Sequence, residues 1–306
     1  MKNEQFCQTC IRECSLGNSY CGRRGEKSNL IDKNRYCALL VDQLFDKPIV
    51  HFSKNIKILS IGSWGCNLRC LGCQNAHLSW TNTGEGVDYV ELHPDNIVKM
   101  ALKSDCQGIC YTYNEPAILL EEVEEIALKA KNAGLFNIFV TNSTLTTYST
   151  KRISPLMSAV GVDIKSMDDE FYYQYCGAQG INDIALKILN CIQAFYDSGC
   201  HVEVRTNIIN GANDQEVNLK NIAHWIKSNL GEQTPWHITR FFPAYKLNHI
   251  DQTPTKVMLK AQQFGLDEGL KHVHTYFTKG CDCAKDKCMV DSSNKDGEIV
   301  INSCCD

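Results

Sequence analysis

Short runs of apolar and β-branched residues alternate along the chain with longer amphipathic stretches. Six of these runs are typical of strands, at 57–65, 108–113, 136–142, 159–165, 201–209 and 236–242. Helical periodicity fills most of the intervals between them, at 94–104, 117–134, 181–199, 213–231 and 253–270. This alternation predicts a parallel sheet built from strand–helix units.

The loop after the first predicted strand favours a barrel over an open dinucleotide-binding sheet. A glycine-rich dinucleotide motif is absent there, and cysteines stand in its place. We therefore expect an α/β fold, a barrel-like arrangement over residues 56–275 with its chemistry at the carboxyl ends of the strands. Residues 1–55 are predicted to be a cysteine-rich N-terminal extension, and residues 276–306 a cysteine-rich C-terminal tail.

Composition and charge narrow the function further. The first residues lack the apolar segment of a signal peptide, and no stretch approaches the roughly 18 apolar residues of a membrane span. We expect a cytoplasmic protein without a membrane partner, and the net charge of −4 weighs against nucleic acid. In a reducing compartment, the 18 cysteines of the chain indicate metal binding rather than disulfides.

Three cysteines directly follow the first predicted strand. Cys66, Cys70 and Cys73 are separated by three and then two residues. Thiolates at this spacing suit one face of a [4Fe-4S] cube and leave one iron open for a small molecule. The alternative is a zinc site in which His77 is the fourth ligand.

The segment CNLRCLGC resembles the signature of the radical S-adenosylmethionine (SAM) superfamily. The segments HFSKN, YTYNEP, VDIKSMDDEFY and PWHITRFFPAYK extend the resemblance to the radical SAM enzymes of the AmmeMemoRadiSam system, a group similar to pyruvate formate-lyase-activating enzymes. The resemblance implies a partial (β/α)6 barrel, a [4Fe-4S] cluster on Cys66, Cys70 and Cys73, and SAM as cofactor. It also implies reductive cleavage of SAM to a 5′-deoxyadenosyl radical that abstracts hydrogen from a substrate. Two departures from the family pattern are Gly72, where an aromatic residue is common, and Tyr113-Asn114 in place of two glycines.

The resemblance also implies a set of SAM-contacting residues at the ends of the predicted strands. They are Asn114, Glu115, Asn142, Asp163, Lys165, Arg205 and His237. Glu115 corresponds to the carboxylate that receives the methionine amino group. Structural alternatives stay open, because Glu115 would also suit a helix cap, Asp163 and Lys165 an ion pair, and His237 the core.

Two further cysteine sets flank the predicted barrel. Cys7, Cys10, Cys14 and Cys21 suit either a structural zinc ion or an auxiliary iron–sulfur cluster. A second auxiliary site, a redox dithiol and a reducible tail are all open for the C-terminal set, which comprises Cys281, Cys283, Cys288, Cys304 and Cys305.

The leading hypothesis is an anaerobic radical SAM enzyme of the activating type. Its substrate would be a protein glycine, a peptide or a small molecule, and its electron donor a protein such as flavodoxin or ferredoxin. The alternatives are a non-catalytic iron–sulfur or zinc scaffold and a thiol oxidoreductase. The last of these should place a Cys-x-x-Cys pair at a helix start, and the one central pair, Cys70 and Cys73, belongs to the predicted cluster.

Overall fold

The computed structural model describes residues 6–27, 29–53 and 55–277, together with the backbone of residues 289–290. Its strands are β1 (Arg35–Tyr36), β2 (Ala38–Gln43), β3 (Lys57–Gly62), β4 (Val90–Glu91), β5 (Gly108–Tyr111), β6 (Phe136–Thr141), β7 (Ala159–Asp163), β8 (His201–Ile208), β9 (Trp236–Arg240), β10 (Val273–Tyr276) and β11 (Met289–Val290). Its α-helices are α1 (Ala76–Ser79), α2 (Pro94–Lys103), α3 (Leu120–Asn132), α4 (Thr147–Ile153), α5 (Asp169–Cys176), α6 (Ile184–Asp197), α7 (Glu216–Leu230) and α8 (Thr255–Glu268).

One nine-stranded sheet forms the centre of the molecule. Its strand order is β11-β10-β9-β8-β7-β6-β5-β3-β2, and the pairs from β10 to β3 are all parallel. The two outer strands, β2 and β11, pair antiparallel with their neighbours. The predicted mostly parallel α/β sheet is confirmed, with one parallel strand, β10, beyond the six that the sequence indicates.

The predicted extension is not separate from this sheet. Strand β2 pairs with β3 from Ala38 opposite Gly62 to Gln43 opposite Lys57. Strand β1 pairs instead with the short strand β4 to form a second, two-stranded sheet. The N-terminal segment therefore contributes an edge strand to the main sheet before the loop that leads to β3.

The helices pack on the sheet through stripes at helical spacing. In α6, Ile184, Ile188, Ile192 and Phe195 are all buried, as a 3.6-residue period requires for one face. Strands β5 and β7 are nearly continuous apolar runs because both of their faces are covered. Within the described residues, no helix is both long and apolar enough to cross a lipid bilayer.

A buried carboxylate lies on the polar face of β8, in which polar and mostly apolar residues alternate. Glu203 is fully buried and accepts hydrogen bonds from the backbone N–H groups of residues 50–52, which precede β3. Its oxygens also lie 2.8 Å from His201 Nε2 and 2.6 Å from His237 Nε2. Glu203 thus connects the loop before β3 to β8 and β9.

Candidate metal centre

The three central cysteines lie on the loop that joins β3 to α1, here called the cysteine loop. It begins at the carboxyl end of β3, which lies next to the edge strand β2. The Cys66 Sγ atom is 3.4 Å from the Leu68 backbone nitrogen and 3.8 Å from the Asn142 amide nitrogen. Burial raises the pKa of Cys66 well above its usual value, and negative charge at Glu115, Cys70 and Cys73 adds to the effect. The three thiols therefore lie within electrostatic reach of one another.

The zinc alternative requires a fourth ligand beside the three thiols, and His77 is the candidate. His77 is exposed on α1. In the part of the chain that the structure describes, no three histidine, cysteine or carboxylate side chains converge as ligands of a single ion. Three thiolates leave one iron of a [4Fe-4S] cube open, whereas a structural zinc ion takes four protein ligands.

Asn114 positions the backbone that leads into the cysteine loop. Its Oδ1 atom accepts a hydrogen bond from the Ser63 backbone N–H at 3.0 Å. Its amide nitrogen donates to the carbonyl oxygens of Trp64 and Gly65, at 3.2 and 3.1 Å. The structure thus uses the Asn114 amide to position the residues that immediately precede Cys66.

Arg23, from the N-terminal segment, supports the same stretch from the other side. Its fully buried guanidinium donates to Ser63 Oγ at 2.7 Å and to the Trp64 carbonyl oxygen at 3.2 Å. Its carbon Cζ also lies 4.3 Å from the centre of the Trp64 ring. The sequence signal for this role is the Gly22-Arg23 pair within the N-terminal cysteine pattern.

Glu115 is almost completely buried at the end of β5, and burial raises its pKa to about 7. Its Oε1 atom accepts hydrogen bonds from Ala117 N–H at 3.0 Å and Thr141 Oγ1 at 2.7 Å, and its Oε2 atom accepts one from Asn142 N–H at 2.8 Å. The helix-capping alternative therefore holds for this residue. A carboxylate has about four acceptor positions, so roughly one position is left for a ligand.

The same hydrogen bonds fix Asn142 beside the cysteine loop. Its side-chain nitrogen donates to Asn67 Oδ1 at 3.0 Å and points toward Cys66 Sγ. The chain of contacts from Glu115 through Asn142 to Cys66 therefore joins the ends of β5 and β6 to the loop after β3.

Asp163, Lys165 and Arg205 form one charged group. Asp163 Oδ2 is 2.9 Å from Lys165 Nζ, and Asp163 Oδ1 is 2.7 Å from an Arg205 nitrogen. Burial alone would raise the pKa of Asp163, but the charges of Arg205 and Lys165 outweigh it and lower that pKa below its usual value. Burial alone would lower the pKa of Lys165, but the negative charges of Asp163 and Cys70 raise it. Because Cys70 contributes to this shift, the charged group lies near the cysteine loop.

Strand pairing places His237 opposite Arg205, but the imidazole hydrogen-bonds with residues outside the charged group. His237 is the second residue of β9 and is fully buried, with Nε2 at Glu203 and Nδ1 3.0 Å from the Tyr276 hydroxyl. The alternative of a satisfied core histidine therefore describes it. The predicted tail set of Cys281, Cys283, Cys288 and Cys304, with Cys305, lies outside the described residues.

Two residues near the cysteine loop were missed by sequence reasoning. The Cys176 thiol, at the end of α5, forms a hydrogen bond that lowers the pKa of Cys70, although burial opposes the shift. Phe241, which follows β9, fills the space beside Gly72, where a Cβ atom would lie 2.8 Å from the ring. Gly72 is therefore required by the packing of an aromatic ring that comes from elsewhere in the chain.

The predicted N-terminal set is also brought together. Cys7, Cys10, Cys14 and Cys21 line a single cavity, and all of them except Cys14 are buried. Asn67 of the central loop lines the same cavity.

Sequence comparison finds a matching family model and a relative of known sequence. A family model described as the radical SAM superfamily matches residues 61–222. The uncharacterized protein MJ0808 of Methanocaldococcus jannaschii is 31% identical over 278 residues, which cover 89% of this chain and 81% of that protein.

Solved structures share the fold at low sequence identity. A radical SAM methyltransferase from Sphaerobacter thermophilus is 12% identical, with a TM-score of 0.54 over 74% of this chain and 68% of its own. SuiB of Streptococcus suis, solved with its precursor peptide SuiA, is 10% identical, with a TM-score of 0.52 over 72% of this chain and 48% of its own.

Proposed function

The chain belongs to the radical SAM superfamily, and from that premise we propose that Cys66, Cys70 and Cys73 hold the [4Fe-4S] cluster to which SAM binds. Members of this superfamily are enzymes that use a [4Fe-4S] cluster and SAM. When bound, the cluster supplies one electron to SAM, which yields methionine and a 5′-deoxyadenosyl radical that abstracts hydrogen from the substrate. The observation that carries the proposal is the set of three thiols on one loop after β3, beside the side chain of Asn142.

The charged group at the same edge supports a binding site for the methionine end of SAM. That end carries a carboxylate and an ammonium group, and Lys165 and Arg205 supply two positive charges against the single negative charge of Asp163. Their side chains retain 14 to 24% exposure, so a ligand has access to them. In this proposal the carboxylate of SAM binds the two cations, and the ammonium group approaches Asp163.

Glu115, Asn114 and Asn142 are proposed to act around the same ligand. Glu115 has one acceptor position left for the ammonium group, and its deprotonated form is favoured when that cation binds beside it. Asn142 donates a hydrogen bond toward Cys66 and orients the loop. Asn114 acts through the backbone of residues 63–65, as a positioning residue.

We propose a protein or peptide as the substrate, in a reaction of the activating type that abstracts hydrogen from a glycine or a similar backbone position. The sheet does not close in the described residues, because β2 and β11 stand at its two ends without pairing with each other. An open sheet gives an extended chain access to the carboxyl ends of the strands. SuiB, which shares the fold, was solved with a precursor peptide. A small-molecule substrate is the alternative.

The test is SAM cleavage by anaerobically reconstituted protein. Dithionite replaces the electron donor, for which we propose flavodoxin or ferredoxin, and the product 5′-deoxyadenosine is quantified by chromatography. Cys70→Ala should lower its release at least about 100-fold, because the cluster loses one of its three thiolates.

Cys106→Ala is the matched control. Cys106 is also a buried cysteine, but it precedes β5 and lies at the amino end of that strand. This variant should keep cleavage near the wild-type rate. Wild-type turnover in Cys70→Ala would refute the assignment of the cluster to the central loop.

A further inference from the structure

We propose that Cys7, Cys10, Cys14 and Cys21 hold a second iron–sulfur cluster, separate from the one on the central loop. This inference rests on the geometry of the N-terminal segment and does not depend on the proposed reaction. The four thiols line one cavity together with side chains from the central loop and the helix region after β5, including Asn67 and Ile118. Thiolate is the usual protein ligand of iron–sulfur clusters, and four of them complete a cluster without an open position.

Three of the four thiols, at Cys7, Cys10 and Cys21, are buried, and Cys14 is partly buried. All four line the same cavity. Because four thiolates satisfy a zinc ion as well as an iron–sulfur cluster, the surroundings of the site decide between the two.

The N-terminal segment has little regular secondary structure. From Phe6 to Leu30 the described chain makes only isolated bridges, namely Phe6 with Ser15, Cys10 with Leu145 and Arg24 with Leu30. The hydrogen bond from Cys7 N–H to the Cys14 carbonyl oxygen, at 2.8 Å, closes the loop that carries three of the cysteines. Short segments without a core of their own are commonly held by metal, and the inward thiols are the groups available here.

The position next to the central loop distinguishes a redox cluster from a purely structural ion. Asn67 directly follows Cys66, its Oδ1 atom lies 3.9 Å from Cys66 Sγ, and its side chain also hydrogen-bonds the Cys10 thiol. Arg12 donates to the Asn67 carbonyl oxygen at 2.9 Å and fixes the segment in place. The Asn67 side chain therefore lies between the two cysteine sets. This proximity suits two electron-carrying groups, whereas a structural zinc ion does not need it.

The experiment isolates the N-terminal site within the full chain. The test variant replaces the three central cysteines and the five tail cysteines by serine, and it is reconstituted anaerobically with iron and sulfide. It should retain about one third of the iron of a chain that carries both clusters if the N-terminal cluster is [2Fe-2S], or about half if it is [4Fe-4S]. Acid-labile sulfide should be present in matching amount, with an EPR signal on reduction. The control adds serine at Cys7, Cys10, Cys14 and Cys21 and should hold neither iron nor sulfide.

Two results would overturn the proposal. The first is a test variant that binds zinc without sulfide, and the second is a control variant that keeps the same iron. Far-UV circular dichroism establishes that both variants fold. If the test variant does not fold, Cys14→Ser in the otherwise native chain replaces it, because Cys14 is the least buried of the four. That single change should lower iron and sulfide by about one third to one half, and an unchanged sulfide content would equally exclude the site.

Discussion

At the scale of single residues, the charged group of Asp163, Lys165 and Arg205 makes the sharpest prediction. Asp163→Asn leaves two cations without their carboxylate and removes the proposed partner of the SAM ammonium group. The affinity for SAM should fall by about 10- to 100-fold, the range for a lost hydrogen bond to a charged group. Equilibrium binding to the anaerobic, cluster-loaded protein measures this change.

The same variant has a signature in stability. Because the pKa of Asp163 is lowered in the folded protein, its contribution is present at neutral pH and is lost as the pH falls below the usual value of 3.8 toward the folded pKa. Asp163→Asn should therefore be less stable at pH 7 by about 1–3 kcal/mol, and the difference should shrink in acid. Asp95→Asn, which removes a surface partner of Lys129, is the control and should leave SAM affinity unchanged. Equal effects of the two variants on affinity would contradict the role of Asp163.

Sequence reasoning anticipated this group better than it anticipated its neighbours. A spacing of two residues places Asp163 and Lys165 on one side of a strand, and the structure pairs them. The sequence did not reveal that Asn114 and Glu115 form hydrogen bonds with backbone groups of residues 63–65, 117 and 142. It also gave no sign that His237 has a buried partner 34 residues earlier, in Glu203. Such partners depend on the packing of distant segments, which a local pattern does not contain.

At the scale of elements, the end of α5 sets the shape of the cysteine loop. Gly177 caps this helix with a φ of 64°, and its Cβ position lies 2.8 Å from Arg69 Cβ. Gly177→Ala should therefore combine left-handed strain, about 1 kcal/mol, with displacement of the loop between Cys66 and Cys70. We expect a lower unfolding temperature and faster loss of iron from the reconstituted protein.

Gly180→Ala provides a closely matched comparison. Gly180 also has a positive φ, 82°, but no atom lies within 4 Å of its Cβ position. This variant should show the strain alone and release iron at the wild-type rate. If both variants release iron equally, contact between α5 and the loop does not hold the cluster site.

The elements that the sequence predicted are the long ones with a clear period. Each of the six expected strands and five expected helices corresponds to an element of the structure, with ends that differ by a few residues. Strand β10 and helix α5 were missed because four and eight residues give little periodic signal. Strand β2 was missed because two of its six residues, Leu40 and Val41, are apolar yet exposed on an edge strand, where the usual alternation is lost.

At the scale of the whole molecule, Glu203 joins parts of the fold that are far apart in sequence. It receives hydrogen bonds from the loop before β3, from β8 and from β9, and so it links the beginning of the sheet to its later strands. Burial alone would raise the pKa of Glu203, but the hydrogen bonds from His201 and His237 outweigh burial and lower that pKa far below its usual value. The carboxylate is therefore charged at neutral pH and fully compensated by its donors.

Glu203→Gln should destabilise the fold by about 3–5 kcal/mol, because the amide replaces a charged acceptor and turns a donor toward other donors. In the wild-type protein the contribution of Glu203 is complete above its usual pKa of 4.5 and is lost only as the pH falls toward the lowered folded value. The difference in stability between the two proteins should therefore be constant from pH 7 to about pH 5 and shrink at lower pH, measured by urea unfolding between about pH 7 and pH 2.5. Glu232→Gln, at an exposed pair with Lys271, should stay within about 0.5 kcal/mol of the wild-type protein.

Glu203 lies outside the charged group beside the cysteine loop, so SAM cleavage per folded molecule should survive Glu203→Gln and fall in Asp163→Asn. A Glu203→Gln protein as stable as Glu232→Gln would mean that the loop before β3 is held to the sheet by its apolar contacts alone.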